Sequence, residues 1–99
     1  MASEIIVFNS DEFEELITKR DVRIAEALVT TILSNLKGRK RHLHALSVLV
    51  EQEQTIYDIT VDRKEFLSTL KQNLSIFEEN ELYEVCAQIR DAIIILEKK

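Results

Sequence analysis

The 99-residue chain contains no proline, no tryptophan and a single glycine. Proline and glycine are the residues that most often interrupt helices, so their scarcity favours a predominantly helical fold. A single cysteine excludes an internal disulfide and agrees with a reducing compartment. No apolar run approaches the roughly 20 residues that cross a bilayer, and the N-terminus does not resemble a signal peptide. We therefore expect a soluble, cytoplasmic protein without a membrane partner.

What the chain does contain is an ordinary globular composition, 45% hydrophobic and 31% charged. Its length predicts one domain spanning residues 1–99. The net charge of −5 is uneven, because residues 1–50 carry seven cations and seven anions, whereas residues 51–99 carry six cations and eleven anions. The acidic second half would be repelled by a phosphate backbone, so any nucleic acid would have to meet the first half.

In the first half, the apolar spacing predicts two helices, about 11–19 and 22–37, after a short extended segment at 4–8. The apolar stripes of the two helices point in different directions, so the helix must break, and Asp21 can cap the second piece. Gly38 stands where a C-terminal capping glycine is expected.

The middle of the chain contains the predicted β element. Residues 55–61 are rich in β-branched and aromatic side chains and predict a strand that pairs either with 43–50 or with 4–8. The pattern of 42–50 fits a helix as well as a strand. The fold class expected is therefore α+β and predominantly helical, with an all-α bundle as the alternative.

At the C-terminal end, two helices of about 63–78 and 81–97 are predicted to form an antiparallel hairpin over residues 63–97. Asp62 and Glu65 have the spacing of a capping box, and Asn80 can cap the last helix. The seam between the two helices is expected to contain Leu70, Leu74, Phe77, Cys86, Ile89 and Ile93.

Residues 83–93 read Tyr-Glu-Val-Cys-Ala-Gln-Ile-Arg-Asp-Ala-Ile. They resemble the second half of the UVR motif, the helical hairpin shared by the UvrB and UvrC repair proteins, the ClpC unfoldase and the McsA adaptor. The family pattern runs aromatic, Glu, any, small, small, any, aliphatic, Arg, Asp, any, aliphatic. Leu70 and Leu74, four apart, fit its first helix. The likeness covers residues 66–97 only.

This resemblance implies a contact module rather than a catalytic one. In the family, such hairpins pair with other hairpins or position an adaptor on a chaperone or kinase, and the motif's Arg and Asp correspond to Arg90 and Asp91. The chain departs from the pattern at Val85 and Ala92, where the family usually has polar residues. That departure favours a hairpin fused into a larger core.

The last helix is apolar over more than half of its circumference, so it needs two neighbours: its hairpin partner and either the first half of the chain or another molecule. Arg90 lies between the apolar sectors and can pair with Glu79, with Glu84 or with a partner's carboxylate. We expect a homodimer or a hetero-complex. The candidate partner-binding residues are Tyr83, Arg90, Asp91, Ile94 and Ile95.

A cluster of cations surrounds the single glycine. Its members are Lys37, Arg39, Lys40, Arg41 and His42. They could contact nucleic acid or an acidic partner, or form a solvated turn that complements the end of the preceding helix. No aromatic residue is interleaved with them, so stacking on single-stranded bases is poorly supported.

Catalytic chemistry finds little support in the sequence. His42 and His44 do not complete a metal site, and Cys86 lies in the apolar sector of a distant helix. We therefore expect no enzyme activity, metal or cofactor. The sequence predicts a non-enzymatic adaptor or regulator that binds a protein through its C-terminal hairpin; the alternative is a small nucleic-acid-associated protein that uses residues 37–42. Either would suit a small phage or bacterial accessory protein.

Overall fold

A computed structural model describes residues 3–98 and has an α+β, predominantly helical fold of four helices and a three-stranded sheet. The alternative of an all-α bundle is wrong, because the ambiguous segment forms a strand. The elements in chain order are β1 (Ser3–Val7), α1 (Ser10–Thr18), α2 (Val22–Ser34), β2 (His42–Val50), β3 (Thr55–Asp62), α3 (Phe66–Glu79) and α4 (Tyr83–Glu97). A short 3-10 turn, Arg63–Glu65, precedes α3.

In the sheet, β2 is the central strand. It pairs antiparallel with β3, as predicted for residues 55–61 with 43–50, and it pairs parallel with β1. Pairing of residues 4–8 with 55–61 is therefore wrong. The turn between β2 and β3 lacks the usual Gly, Asn or Asp, and Gln54 takes the left-handed conformation with φ 50° instead.

The buried face of β2 depends on a β-bulge between His44 and Leu46. Leu43 lies opposite Val61 and Leu46 opposite Ile59, so the extra residue keeps both leucines on the face that the helices cover. Without the bulge, strict alternation would place Leu43 and Leu46 on opposite faces.

The predicted break between the first two helices is present. Asn9 caps α1 by accepting a hydrogen bond from the backbone N–H of Glu12 (3.0 Å), and Arg20 has φ 54°. Asp21 caps α2 by accepting from the N–H of Arg23 (2.8 Å), and the Arg23 side-chain hydrogen bond lowers the pKa of Asp21.

The second helix ends three residues earlier than predicted, at Ser34. Asn35 terminates it, because its side-chain amide donates to the carbonyl oxygen of Thr31 (2.7 Å). Gly38 does not have a positive φ, so its predicted role as a left-handed cap is wrong.

The core consists of two clusters, and α2 contributes to both. The sheet-side cluster is formed by Ile5, Val7, Ala27, Ala45, Leu46, Val48 and Val50. The helix-side cluster is formed by Ala25, Val29, Ile32, Leu43, Val61, Phe66, Leu70, Ile76, Phe77, Cys86, Ile89 and Ala92. By contrast, α1 has no fully buried residue and packs through the partly buried Phe13 and Leu16.

The predicted C-terminal hairpin is present, although its caps differ. Asp62 caps the 3-10 turn by accepting from the N–H of Lys64 (3.3 Å). Asn80 donates to the carbonyl oxygen of Ile76 (2.7 Å), so it caps the end of α3 and not the start of α4. The seam is as predicted: Leu70, Phe77, Cys86 and Ile89 are buried in one cluster, against which Leu74 and Ile93 pack.

Candidate functional site

The chain itself supplies the second neighbour that α4 requires. Cys86, Ile89 and Ala92 are buried in the same cluster as Ala25 and Val29 of α2. Helix α4 therefore packs against both α3 and α2. This accounts for the apolar Val85 and Ala92, since Val85 also packs against that cluster.

A second apolar face of α4 is not covered. Its outer stripe consists of Tyr83, Ala87, Arg90 and Ile94, spaced by four, three and four residues. At about 100° per residue, these side chains fall within an arc of roughly 60°. Tyr83 is 64% exposed and Ile94 is 52% exposed. The two side chains lie at opposite ends of the stripe, about 16 Å apart along the helix axis, so the stripe offers a long, narrow surface rather than one patch.

Arg90, in the middle of the outer stripe, pairs with neither Glu79 nor Glu84. Its Nη2 atom lies 3.0 Å from Oε2 of Glu78 on α3, and both side chains are about half exposed. Glu78 is nearer because the hairpin brings the last turn of α3 beside the middle of α4. An exposed pair of this kind contributes little to stability, so Arg90 can also bind a partner.

The other two predicted contact residues lie to one side of the outer stripe. Asp91 and Ile95 are exposed, but they lie roughly a quarter to a third of a turn from Tyr83 around the helix. Of the five predicted contact residues, three therefore lie in the outer stripe (Tyr83, Arg90 and Ile94), and two lie beside it (Asp91 and Ile95).

The cation cluster forms an exposed segment that follows α2 and ends at the first residue of β2, here called the basic turn (residues 37–42). Lys37, Arg39, Lys40, Arg41 and His42 are all exposed, so the predicted set lies together. Within residues 3–98, His42 alone of the five pairs with a carboxylate, through Nδ1 at 3.4 Å from Asp62.

Arg63 fixes the backbone of the basic turn through hydrogen bonds, a role that the sequence did not predict. Its Nε donates to the carbonyl oxygen of Lys40 (2.6 Å) and its Nη1 to that of Asn35 (2.8 Å), while its backbone N–H donates to Arg41 (2.7 Å). Its guanidinium also lies 4.9 Å from the ring centroid of Phe66. The only signal in the sequence is a cation next to a capping Asp, which does not reveal a partner more than 20 residues away.

The single glycine is explained by Arg63. A Cβ atom at Gly38 would lie 3.0 Å from Nη2 of Arg63 and 3.5 Å from the carbonyl oxygen of Asn35. Glycine therefore allows the close approach of the turn to the guanidinium, not a left-handed backbone.

His44, Ser47 and Asp58 form a hydrogen-bonded group on the strands, but not a catalytic triad. Nε2 of His44 lies 3.0 Å from Ser47 Oγ and 3.1 Å from Asp58 Oδ1, and Ser47 donates to Asp58 (2.7 Å). A triad needs the carboxylate and the hydroxyl on different ring nitrogens. The hydrogen bond from Ser47, aided by His44, lowers the pKa of Asp58.

The remaining groups that could carry chemistry are the single thiol and the side chains that could bind a metal. Cys86 is fully buried. In the part of the chain that the structure describes, no three His, Cys, Asp or Glu residues are arranged to hold a metal ion.

None of the helices within residues 3–98 has the length and apolar character to cross a membrane.

Comparison of the chain with protein-family models, with curated proteins and with solved structures gives no match. The resemblance of residues 66–97 to the UVR motif stays a prediction that rests on the residues alone.

Proposed function

We propose that this protein is a cytoplasmic, non-enzymatic adaptor that binds a protein partner through the outer stripe of α4. The observation that carries the proposal is the exposure of Tyr83 and Ile94 on one line of a helix whose other apolar sector is already buried. The chain's own core does not use this second face. The UVR-like pattern of residues 83–93 supports the same reading.

The spacing of the outer stripe suits a helix as the partner. Side chains four, three and four residues apart are those that a neighbouring helix meets along a coiled-coil seam. Ala87, in the middle of the stripe, is small enough to let a second backbone come close. The aliphatic stem of Arg90 adds apolar surface while its guanidinium stays at the edge.

The experiment compares two double variants that each replace two exposed large hydrophobic side chains. Tyr83→Ser with Ile94→Ser removes the stripe, and Ile17→Ser with Ile56→Ser removes two isoleucines from other surfaces. A photo-crosslinking residue placed at Ala87 identifies the contacting protein, and the purified partner is then titrated with each variant. We expect the stripe variant to bind at least tenfold more weakly, because buried aromatic and aliphatic anchors dominate interfaces.

The same series separates self-association from a different partner. A crosslink between two copies, with a concentration-dependent mass in sedimentation, identifies a homodimer. A crosslink to another protein identifies a hetero-complex. Equal binding by both double variants would overturn the assignment of the outer stripe.

A further inference from the structure

A cleft of about 400 Å³ opens between the C-terminal half of α2 and the start of β2. We call it the α2–β2 cleft. Its lining includes Thr30, Lys40, His42 and His44. Among residues 3–98, no carboxylate is part of its lining, whereas four other surface clefts each include at least one acidic residue. Its two histidines are nevertheless paired from outside the cleft, His42 with Asp62 at 3.4 Å and His44 with Asp58 at 3.1 Å. In a protein with a net charge of −5, the cation that the cleft offers to an anion is therefore Lys40, which it shares with the basic turn.

The positive surface continues beyond the cleft. Lys40 lies both in the cleft and in the basic turn, and Lys37, Arg39 and Arg41 extend the charge outwards. Across residues 3–98, none of these four side chains forms an ion pair with a carboxylate. Their charges are thus available to a ligand larger than the cleft.

The cations are also held on a fixed backbone. Arg63 binds the carbonyl oxygens of Asn35 and Lys40, one on each side of the glycine, and its N–H binds that of Arg41. A turn fixed in this way loses less conformational freedom on binding than a flexible loop would. The hydrogen bonds use backbone oxygens, so they leave the cationic side chains free to point at solvent.

We propose that the α2–β2 cleft and the basic turn together bind the phosphate backbone of a nucleic acid. A ligand with one phosphate would use the cleft alone, whereas the cations extend over both surfaces and match a ligand with repeated phosphates. Within residues 3–98, no aromatic residue lines the cleft, so the contact carries no base stacking, and contacts of its cations to phosphates carry no sequence information. This activity goes beyond the proposed protein contact and uses a different surface from the outer stripe.

The experiment measures binding of the full chain to a fluorescent duplex of about 20 base pairs, and to the matching single strand, over about 25–200 mM salt. We expect affinity to fall roughly a hundredfold between about 50 and 200 mM salt, as four neutralised phosphates would require. Replacing Arg39, Lys40 and Arg41 with Gln should lower the slope of log affinity against log salt by about three.

The matched control replaces Lys19, Lys71 and Lys98 with Gln, which changes the net charge equally at other sites. It should bind within about twofold of the wild type at fixed salt, since distant charges are screened. A second pair places one carboxylate in the cleft, as Thr30→Glu, or on α3, as Gln72→Glu. Only the first should weaken binding. Circular dichroism of each variant checks that the fold is retained.

Three results would overturn the proposal. The first is no binding to either nucleic acid at about 25 mM salt, where phosphate contacts are strongest. The second is an equal loss in the turn variant and its charge-matched control, which would mean a response to net charge alone. The third is tight binding of a phosphoserine peptide without binding of nucleic acid, which would assign the same surface to a protein ligand.

Discussion

Arg63 is a cation whose side chain contacts carbonyl oxygens instead of a carboxylate. Through them it joins the end of α2, the basic turn and the start of the C-terminal helical region. Arginine suits this position because its planar fork can donate to two acceptors while its face lies over Phe66. The exposed cations of the turn therefore depend on a partly buried one for their arrangement.

Gly38→Ala tests this arrangement. A new Cβ would lie 3.0 Å from Nη2 of Arg63, a buried atom of a guanidinium that the hydrogen bonds of Nε and Nη1 fix in place. Ala normally stabilises by about 0.4–1 kcal/mol through the unfolded chain, because Gly38 has no positive φ. We expect the displaced guanidinium to outweigh this and to give a net loss of roughly 1 kcal/mol in urea denaturation. In an Arg63→Lys background the loss should disappear; an unchanged loss would contradict the contact.

Ser47→Ala tests the hydrogen-bonded group of His44, Ser47 and Asp58 through the pH dependence of stability. The pKa of Asp58 in the folded protein lies below its ordinary value of 3.8, chiefly because of the hydrogen bond from Ser47. A depressed folded pKa contributes stability that is present above pH 3.8 and lost as the pH falls through the folded value. We expect the variant to raise the pKa of Asp58 towards 3.8 and to flatten the loss of stability below pH 4. NMR titration of the Asp58 carboxyl gives the answer, and an unmoved pKa would refute the cause.

At the residue scale, the sequence predicts which side chains are exposed better than it predicts which side chains bind each other. The cations of the basic turn and the apolar Tyr83 and Ile94 are exposed as expected from their spacing. The partners of Arg63 are not predicted at all, and Glu79 and Glu84 are wrong for Arg90, because each partner depends on how distant elements meet. Glu78, Glu79 and Glu84 are equally good carboxylates until the angle of the hairpin is known.

At the element scale, the periodicity of apolar residues predicted all four helices, and the break near Arg20 followed from two diverging stripes. The errors lie at helix ends, where several side chains compete for the same backbone groups. The side chain of Asn80 could cap the start of α4 or the end of α3, and it donates to the carbonyl oxygen of Ile76 on α3. The bulge in β2 was also missed, since a single inserted residue leaves the local composition of a strand unchanged.

Leu70 and Leu74 provide a matched pair on α3, one turn apart. Leu70 is fully buried, whereas Leu74 is only partly covered. Leu70→Ala should lower the free energy of unfolding by roughly 2–5 kcal/mol, and Leu74→Ala by less, because less apolar surface is lost. Denaturant melts of both variants measure the difference, and equal losses would show that the seam is centred elsewhere.

Cys86 offers a probe of the same hairpin without a stability measurement. Its thiol has no exposed surface, so a thiol reagent should react only when α4 separates from its neighbours. We expect labelling to be slow in the native protein and to accelerate across the denaturation transition. Rapid native labelling would mean that α4 opens without global unfolding.

At the scale of the whole molecule, α2 determines how the two halves are connected. Ala25, Val29 and Ile32 face the helix-side cluster, Ala27 faces the sheet-side cluster, and Leu28 packs against both. A sequence reveals that such a helix is apolar on more than one face, but not which element covers each face. That information depends on contacts between residues far apart in the chain.

This shared helix predicts that both clusters unfold together. Tyr57, which packs on Phe13 with ring centroids 5.1 Å apart, reports the sheet side, and Cys86 reports the helix side. In a Tyr83→Phe background, Tyr57 fluorescence and Cys86 labelling should give coincident denaturant midpoints. Two separated midpoints would mean that α2 does not couple the clusters.

The parallel pairing of β1 with β2 has a consequence for the order of folding. Ile5 lies opposite Val48, more than forty positions later, whereas the β2–β3 and α3–α4 hairpins join neighbouring segments. Closing the longer loop costs more chain entropy and comes after the local hairpins have formed. Val7→Ala should therefore accelerate unfolding while leaving the refolding rate nearly unchanged. Strand β1 would be the last part of the sheet to dock.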